Sequence, residues 1–168
     1  MRLTADYWIK QLQLTEHIEG GAFREVYRSP LQVAAPALPD SFGAGRNICT
    51  SIYFLLKDDQ FSAFHRIKSD ELWHFYYGDP LIVYEIDTTG KLTEHLLGND
   101  PGQGQQFQCA IKAGSWFASR VQAGGAYALA GCTVAPGFDF ADFELAERKA
   151  LINEYPLYKK LIEELTRV

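Results

Sequence analysis

Between residues 22 and 134 the chain reads as short β-rich runs, separated at close intervals by Gly, Pro, Asp and Asn, and this narrows its possible folds more than any other feature. The runs fall at 22–28, 47–56, 61–67, 72–77, 81–86, 92–97, 105–111, 116–121 and 127–134. They are rich in Val, Ile, Thr and aromatic residues, which fit a pleated, half-buried surface. Nine short strands with close turns predict an all-β middle closed as a sandwich or barrel.

The flanks read differently. Thr4 stands as an N-cap before ADYWIKQLQL, where Tyr7, Trp8, Leu12 and Leu14 fall on or near one face, so an N-terminal helix is predicted to pack on the barrel. Beyond Phe140 the apolar spacing is helical again: Leu145 and Ile152, then Leu157, Leu161, Ile162 and Leu165, interrupted by Pro156. Two short C-terminal helices follow from that break. Segment 29–45, with three prolines and two glycines, is predicted as a loop, either over the barrel mouth or as a plain linker. Gly20 and Gly21 mark a tight turn into the first strand, because glycine accepts positive φ. Asp139, Asp142 and Glu144 read as caps and a solvated face. No repeat or shift in composition cuts the chain, so residues 1–168 are read as one domain, a length that can bury roughly 70% of the surface of the unfolded chain.

Several classes of function are set aside on composition. The net charge of −5 comes with no basic cluster, so there is no electrostatic footprint for nucleic acid. The apolar run Ile52 to Leu56, which no other exceeds, is far short of the roughly 20 residues a membrane helix needs. The N-terminus has no apolar signal region, which predicts a cytoplasmic protein. Cys49, Cys109 and Cys132 are odd in number and widely spaced, and are read as small buried residues rather than disulfides or a zinc knuckle. A small-molecule ligand or a protein partner remains.

Strand periodicity then points to a candidate centre. Residues two apart share a face, so His65 goes with Phe61, Ala63 and Ile67, and Glu71 goes with Trp73, Phe75 and Tyr77. The turn-like 68–70 between them lets a hairpin bring imidazole and carboxylate together. A carboxylate accepting from one ring nitrogen fixes the tautomer and leaves the other nitrogen as a base or ligand. The alternative is a polar pair that only satisfies itself. An apolar barrel lined by Trp73 and Phe75, with neighbouring hydroxyls such as Thr50, suits a small polar, sugar-like or nucleotide-like ligand. His74 joins the candidate ligand-binding residues, although strand parity turns it away unless a bulge intervenes.

Two strings carry a resemblance. HRIKSDELWHFYYG, from His65 to Gly78, resembles the first motif of the cupins, with His65, Glu71 and Gly78 at the family's spacing and Ile67 where a second His is usual. IKAGSWFAS resembles the second motif, with only Gly114 matching, Lys112 in the place of a Pro and Phe117 in the place of a His. The longer strings Glu19–Phe23, Ser69–Leu81 and Gly131–Leu145 are similar to a small cupin branch catalogued as a domain of unknown function. The resemblance implies a double-stranded β-helix, or jelly roll, of two antiparallel sheets, usually a homodimer. Cupins include metal enzymes, sugar epimerases and binding proteins, so the resemblance leaves the activity open.

Three functions are therefore expected in order: a small-molecule-binding protein; a metal-independent epimerase or isomerase with His65 as base, Glu71 as its orienter and Tyr53 or Tyr27 as acid; and a metal enzyme with an incomplete ligand set. Tyr27 also counts as a candidate ligand-binding residue. Of the three His and one Glu that the cupin pattern implies, only His65 and Glu71 are present, so the expected cofactor is none.

Overall fold

The computed structural model describes residues 3–167. Its strands are β1 (Thr15–Glu16), β2 (Ala22–Arg28), β3 (Gln32–Val33), β4 (Arg46–Asn47), β5 (Thr50–Lys57), β6 (Phe61–Arg66) and β7 (Asp70–Gly78). Then follow β8 (Leu81–Ile86), β9 (Leu92–Leu97), β10 (Gln108–Ile111), β11 (Trp116–Val121), β12 (Tyr127–Ala135) and β13 (Glu144–Leu145). The helices are α1 (Ala5–Leu12), α2 (Arg148–Glu154) and α3 (Lys159–Glu164). No described helix is long and apolar enough to cross a membrane.

Two antiparallel sheets face each other, in the orders β1-β2-β5-β12-β7-β10 and β13-β6-β11-β8-β9, as in a jelly roll. Phe54, Trp73, Phe75 and Cys132 from the first sheet meet Leu81, Val83, Leu97 and Phe117 from the second in one buried core. The outer faces are covered separately. Trp8, Ile9 and Leu12 of α1 lie on Leu55, Tyr127 and Leu129, while Leu151 of α2, Ile162 of α3 and Leu165 just after it lie on Phe64, Tyr84 and Trp116. Each of these side chains that is fully buried, such as Leu55, Leu151 and Ile162, contributes roughly 2 kcal/mol relative to exposure.

The terminal signals in the sequence act locally as expected. Thr4 Oγ1 accepts from Tyr7 N at 3.2 Å and starts α1. Pro156 stands between α2 and α3. Expected strand 47–56 divides, because Ser29 N donates to Cys49 O and Ile48 N donates to Leu31 O, which pulls residues 48 and 49 toward the preceding segment. Segment 29–45 is therefore not a bare loop: β3 pairs with β4, and two single 3-10 turns bring Phe42 into a buried position. Asp142 also departs from expectation. It is buried and makes a two-pronged ion pair with Arg46, at 2.6 Å for each contact, whereas Asp139 is a cap that accepts from Ala141 N.

Three β-bulges decide which side chains face inward, since an extra residue reverses the alternation beyond it. In β2 the register slips between Glu25 and Tyr27 against β5. Tyr27 then pairs with Ser51 on the outer face, half exposed, while Glu25 and Arg28, three apart, both turn inward. In β7 the slip around Tyr76 sends Tyr77 outward against Trp8, so Tyr77 does not share the face of Trp73 and Phe75. In β6 the slip opposite Ala118 separates Phe61, which packs in the outer cluster, from His65, which faces inward.

Candidate functional site

At one end of the barrel a cavity of about 270 Å³ opens between the sheets. Phe23, Ile52, Ile67, Val134, Phe138 and Phe143 make its apolar wall. Its polar end is formed by His17, Glu19, His65 and Glu71, with the Cys132 thiol beside them. Glu25, Arg28, Thr50, Asp139 and Phe140 complete the lining.

Glu19 enters through the turn joining β1 to β2. Gly20 and Gly21 have φ of 117° and 76°, a region that L side chains rarely adopt, and a Cβ at Gly20 would meet the Phe61 carbonyl. The turn can therefore press its backbone onto β6, where Ala63 N donates to Glu19 O at 2.9 Å. Arg167 Nη2 donates to the same carbonyl at 3.0 Å.

The bonds around His65 fix its state. Nδ1 lies 2.7 Å from Ala63 O, which only accepts, so Nδ1 carries hydrogen. Nε2 lies 2.9 Å from Glu19 Oε2. Burial alone would lower the imidazole's pKa, but the Glu19 carboxylate and its hydrogen bond hold it above the ordinary value. Burial would likewise raise Glu19, but His65 holds it below the ordinary carboxylate range. The two form a buried imidazolium–carboxylate pair. The carboxylate bonded to His65 is thus Glu19, not the Glu71 expected from the hairpin.

Glu71 is left to do something else. Burial pushes its carboxyl up to about 7, against the opposing charge of His65 and with the negative charge of Glu19 adding to the shift. Such a group gains and loses a proton at neutral pH, the condition under which acid–base catalysis is most efficient. His17 is different again. Burial lowers its pKa despite nearby Glu19, and its Nδ1 accepts from Glu19 N at 3.3 Å, so it is neutral with hydrogen on Nε2.

The other expected residues are placed as follows. Thr50 lines the cavity, and its Oγ1 accepts from Phe138 N at 3.0 Å. Trp73 and Phe75 lie deeper, packed in the core rather than on the cavity wall. Tyr53 is on the outer face against Tyr76, ring centroids 5.9 Å apart. His74 is also outside, its Nε2 3.1 Å from Thr133 Oγ1, and Tyr27 lies on the same side of the sheet. Sequence reasoning missed His17, Glu19, Glu25, Arg28 and the aromatic segment Phe138 to Phe143. The EGG string, which marks a turn and one of the stretches similar to the cupin branch, is the sequence signal for Glu19.

The donor set does not fit the metal that the fold family often carries. Ile67 and Phe117 stand where further His ligands are usual, and the Phe117 ring lies 4.0 Å from the His65 ring. Both nitrogens of His65 are committed to protein oxygens. Among the described residues no group of three or more His, Cys, Asp or Glu is arranged to hold a metal.

Comparison with known proteins agrees with this architecture. The sequence profile of the family described as Cupin superfamily (DUF985) matches residues 6–146. A hypothetical protein from Leishmania major is 34% identical, with a TM-score of 0.91, over 99% of this chain and 100% of its own. Protein SO0799 from Shewanella oneidensis is 40% identical, with a TM-score of 0.86, over 98% of both chains. The uncharacterized protein YML079W of Saccharomyces cerevisiae is 31% identical over 147 residues, which is 80% of this chain and 71% of the yeast protein. Oxalate decarboxylase from Bacillus subtilis, 17% identical with a TM-score of 0.54 over 89% of this chain and 36% of its own, shares the fold alone.

Proposed function

From the premise that this chain belongs to the Cupin superfamily (DUF985) family, we propose that it is a metal-free acid–base protein whose barrel mouth holds one small, polar, carbohydrate-like molecule. The observation that carries the proposal is Glu71, buried at the polar end of the cavity and poised to titrate at about 7 beside a fixed imidazolium–carboxylate pair. A neutral carboxyl gives a proton and a carboxylate takes one, so Glu71 serves a proton shift next to a carbonyl, as in epimerisation or isomerisation. His65, with both nitrogens donating, is the cation that steadies the developing negative charge. The base is then Glu71 and not His65.

The cavity supports the ligand class. Its volume, about 270 Å³, lies at the small end of ligand pockets and suits one sugar-sized ring rather than a dinucleotide. Aromatic faces of Phe23, Phe138 and Phe143 accept the C–H side of such a ring, and Thr50 and Arg28 offer polar contacts at its edge. Arg28 is largely occupied, since it grips Glu25 at 2.7 Å and Phe138 O at 3.0 Å, so it shapes the mouth more than it reaches for an anion. The reading is of a cytoplasmic homodimer. Leu72, Tyr76, Val26 and Tyr27 leave part of the first sheet's outer face exposed for a second copy.

Incubating the protein in D₂O with small ketoses and keto-sugars tests the reading by NMR. Deuterium should enter at the carbon next to the carbonyl, and Glu71→Gln should suppress the entry. No entry above buffer for any carbonyl sugar, with binding still seen, reduces the function to binding. Stoichiometric metal in protein purified without chelator overturns the metal-free claim.

A further inference from the structure

We propose that His17 is the proton conduit between the buried His65–Glu19 pair and bulk water, a positioning residue that keeps the pair in exchange with water while a ligand fills the mouth. The inference rests on the acid–base reading of the cavity and adds the route by which the charged pair beside Glu71 exchanges protons with water.

The bonding leaves the imidazole no direct exit of its own. His65 spends Nδ1 on Ala63 O and Nε2 on Glu19 Oε2, so neither nitrogen is free for water in the cavity. A proton leaving the imidazolium therefore passes to Glu19. The other carboxylate oxygen, Oε1, lies 3.5 Å from His17 Nδ1. That nitrogen has no hydrogen of its own, because it accepts from Glu19 N.

His17 also sits at a boundary. A second hollow of about 340 Å³ lies on the protein surface, formed by the 16–21 turn, residues 59–61 and Arg167. Among the described residues His17 alone lines both this hollow and the interior cavity. Its ring stands edge-on against Phe23, centroids 4.5 Å apart, and against Phe54. The outer hollow carries the carboxylates of Glu16 and Asp59, which can pass protons to water.

The transfer balances simply. Glu19, protonated for an instant at Oε2 by His65, turns its carboxyl so that this hydrogen faces His17 Nδ1 and passes to it. His17 releases the hydrogen on Nε2 to water, and exchange with water returns the ring to its starting tautomer. One proton enters the ring and one leaves it, and no bond to carbon is made or broken. A ligand that stops the cavity mouth does not interrupt this route.

Protein labelled with ¹⁵N-histidine provides the test, read as the rate at which the His65 Nε2 proton exchanges with water. His17→Phe keeps the aromatic edge, and His17→Gln keeps an acceptor for Glu19 N; both should slow the exchange at least about tenfold with the fold intact by circular dichroism. In His17→Ala, imidazole added to the buffer should restore the rate in proportion to its concentration, which a merely structural role would not produce. An unchanged rate in His17→Phe and His17→Gln, or no rescue by imidazole, overturns the proposal. Absent deuterium entry into sugars with this exchange pattern intact rejects the acid–base reading and leaves the conduit standing. Deuterium entry with wild-type exchange in both variants rejects the conduit alone.

Discussion

Glu19 Oε2 lies 2.9 Å from His65 Nε2, with only 7% and 4% of the two side chains exposed. The turn between the edge strand β1 and its neighbour β2 in one sheet thus supplies the carboxylate for an imidazole on the other sheet. This contact sets the charge of the whole cavity end, and the behaviour of Glu71 follows from it.

Removing Glu19 strands a buried cation. Glu19→Ala is expected to cost about 3–5 kcal/mol in urea denaturation and to make His65 neutral. The pH dependence has a definite sign. His65, raised in the fold, adds stability that is complete below the ordinary histidine range and is lost as pH rises through its folded value. Glu19, lowered in the fold, adds stability above the ordinary carboxylate range that is lost as pH falls through its folded value. Histidine titration by NMR should therefore find His65 releasing its proton at a lower pH in the variant than in the wild type.

Glu71 has the opposite effect on stability. Its folded pKa of about 7 exceeds the ordinary 4.5, so the folded state holds a proton that the unfolded chain has lost. Stability falls as pH rises from 4.5 to 7, by roughly 3 kcal/mol in all. Glu71→Gln copies the neutral carboxyl and removes this loss. Melting curves should show the variant gaining on the wild type as pH goes from about 5 to about 8, and equal pH dependence in the two would refute the assignment.

The Arg46–Asp142 pair holds the segment that carries Phe143 and its neighbours. Asp142→Ala leaves a buried guanidinium without its carboxylate and is expected to cost about 3–5 kcal/mol, while Arg46→Met with Asp142→Leu recovers most of that loss. Thermal denaturation of the three proteins checks the order.

Tyr53 provides a control on the geometry. Tyr53→Phe alters only the outer face and should leave deuterium entry into keto-sugars at the wild-type rate, whereas Glu71→Gln should lower it by about a hundredfold or more. A large loss in Tyr53→Phe would mean that the catalytic surface is not the cavity.

The barrel was legible because alternation and turn residues act locally, and strands 22–28, 81–86, 92–97 and 116–121 lie where their composition put them. The site was legible only in part. Alternation along β5 already separates Thr50 from Tyr53, three residues apart with no bulge, and that parity was available but unused. Tyr27 and Arg28 could not be sorted in the same way, because the bulge in β2 lies between Glu25 and Tyr27 and reverses the count for every residue beyond it. The partner of His65 was obscured for a different reason. Glu19 reaches it by close contact between backbones across the two sheets, a relation with no periodic trace in the sequence. The buried state of Asp142 likewise depends on Arg46, far away along the chain.

The carbonyl of Glu19 is gripped at once by Ala63 on β6 and by Arg167 just beyond the C-terminal helix α3. Proton affinity inside the barrel is therefore tied to how those outer helices seat. A substitution on the packed side of α2 or α3, at Leu151 or Ile162, can retune the chemistry without touching any cavity residue. An engineer seeking a different working pH would have a remote dial, and natural variation there need not be silent.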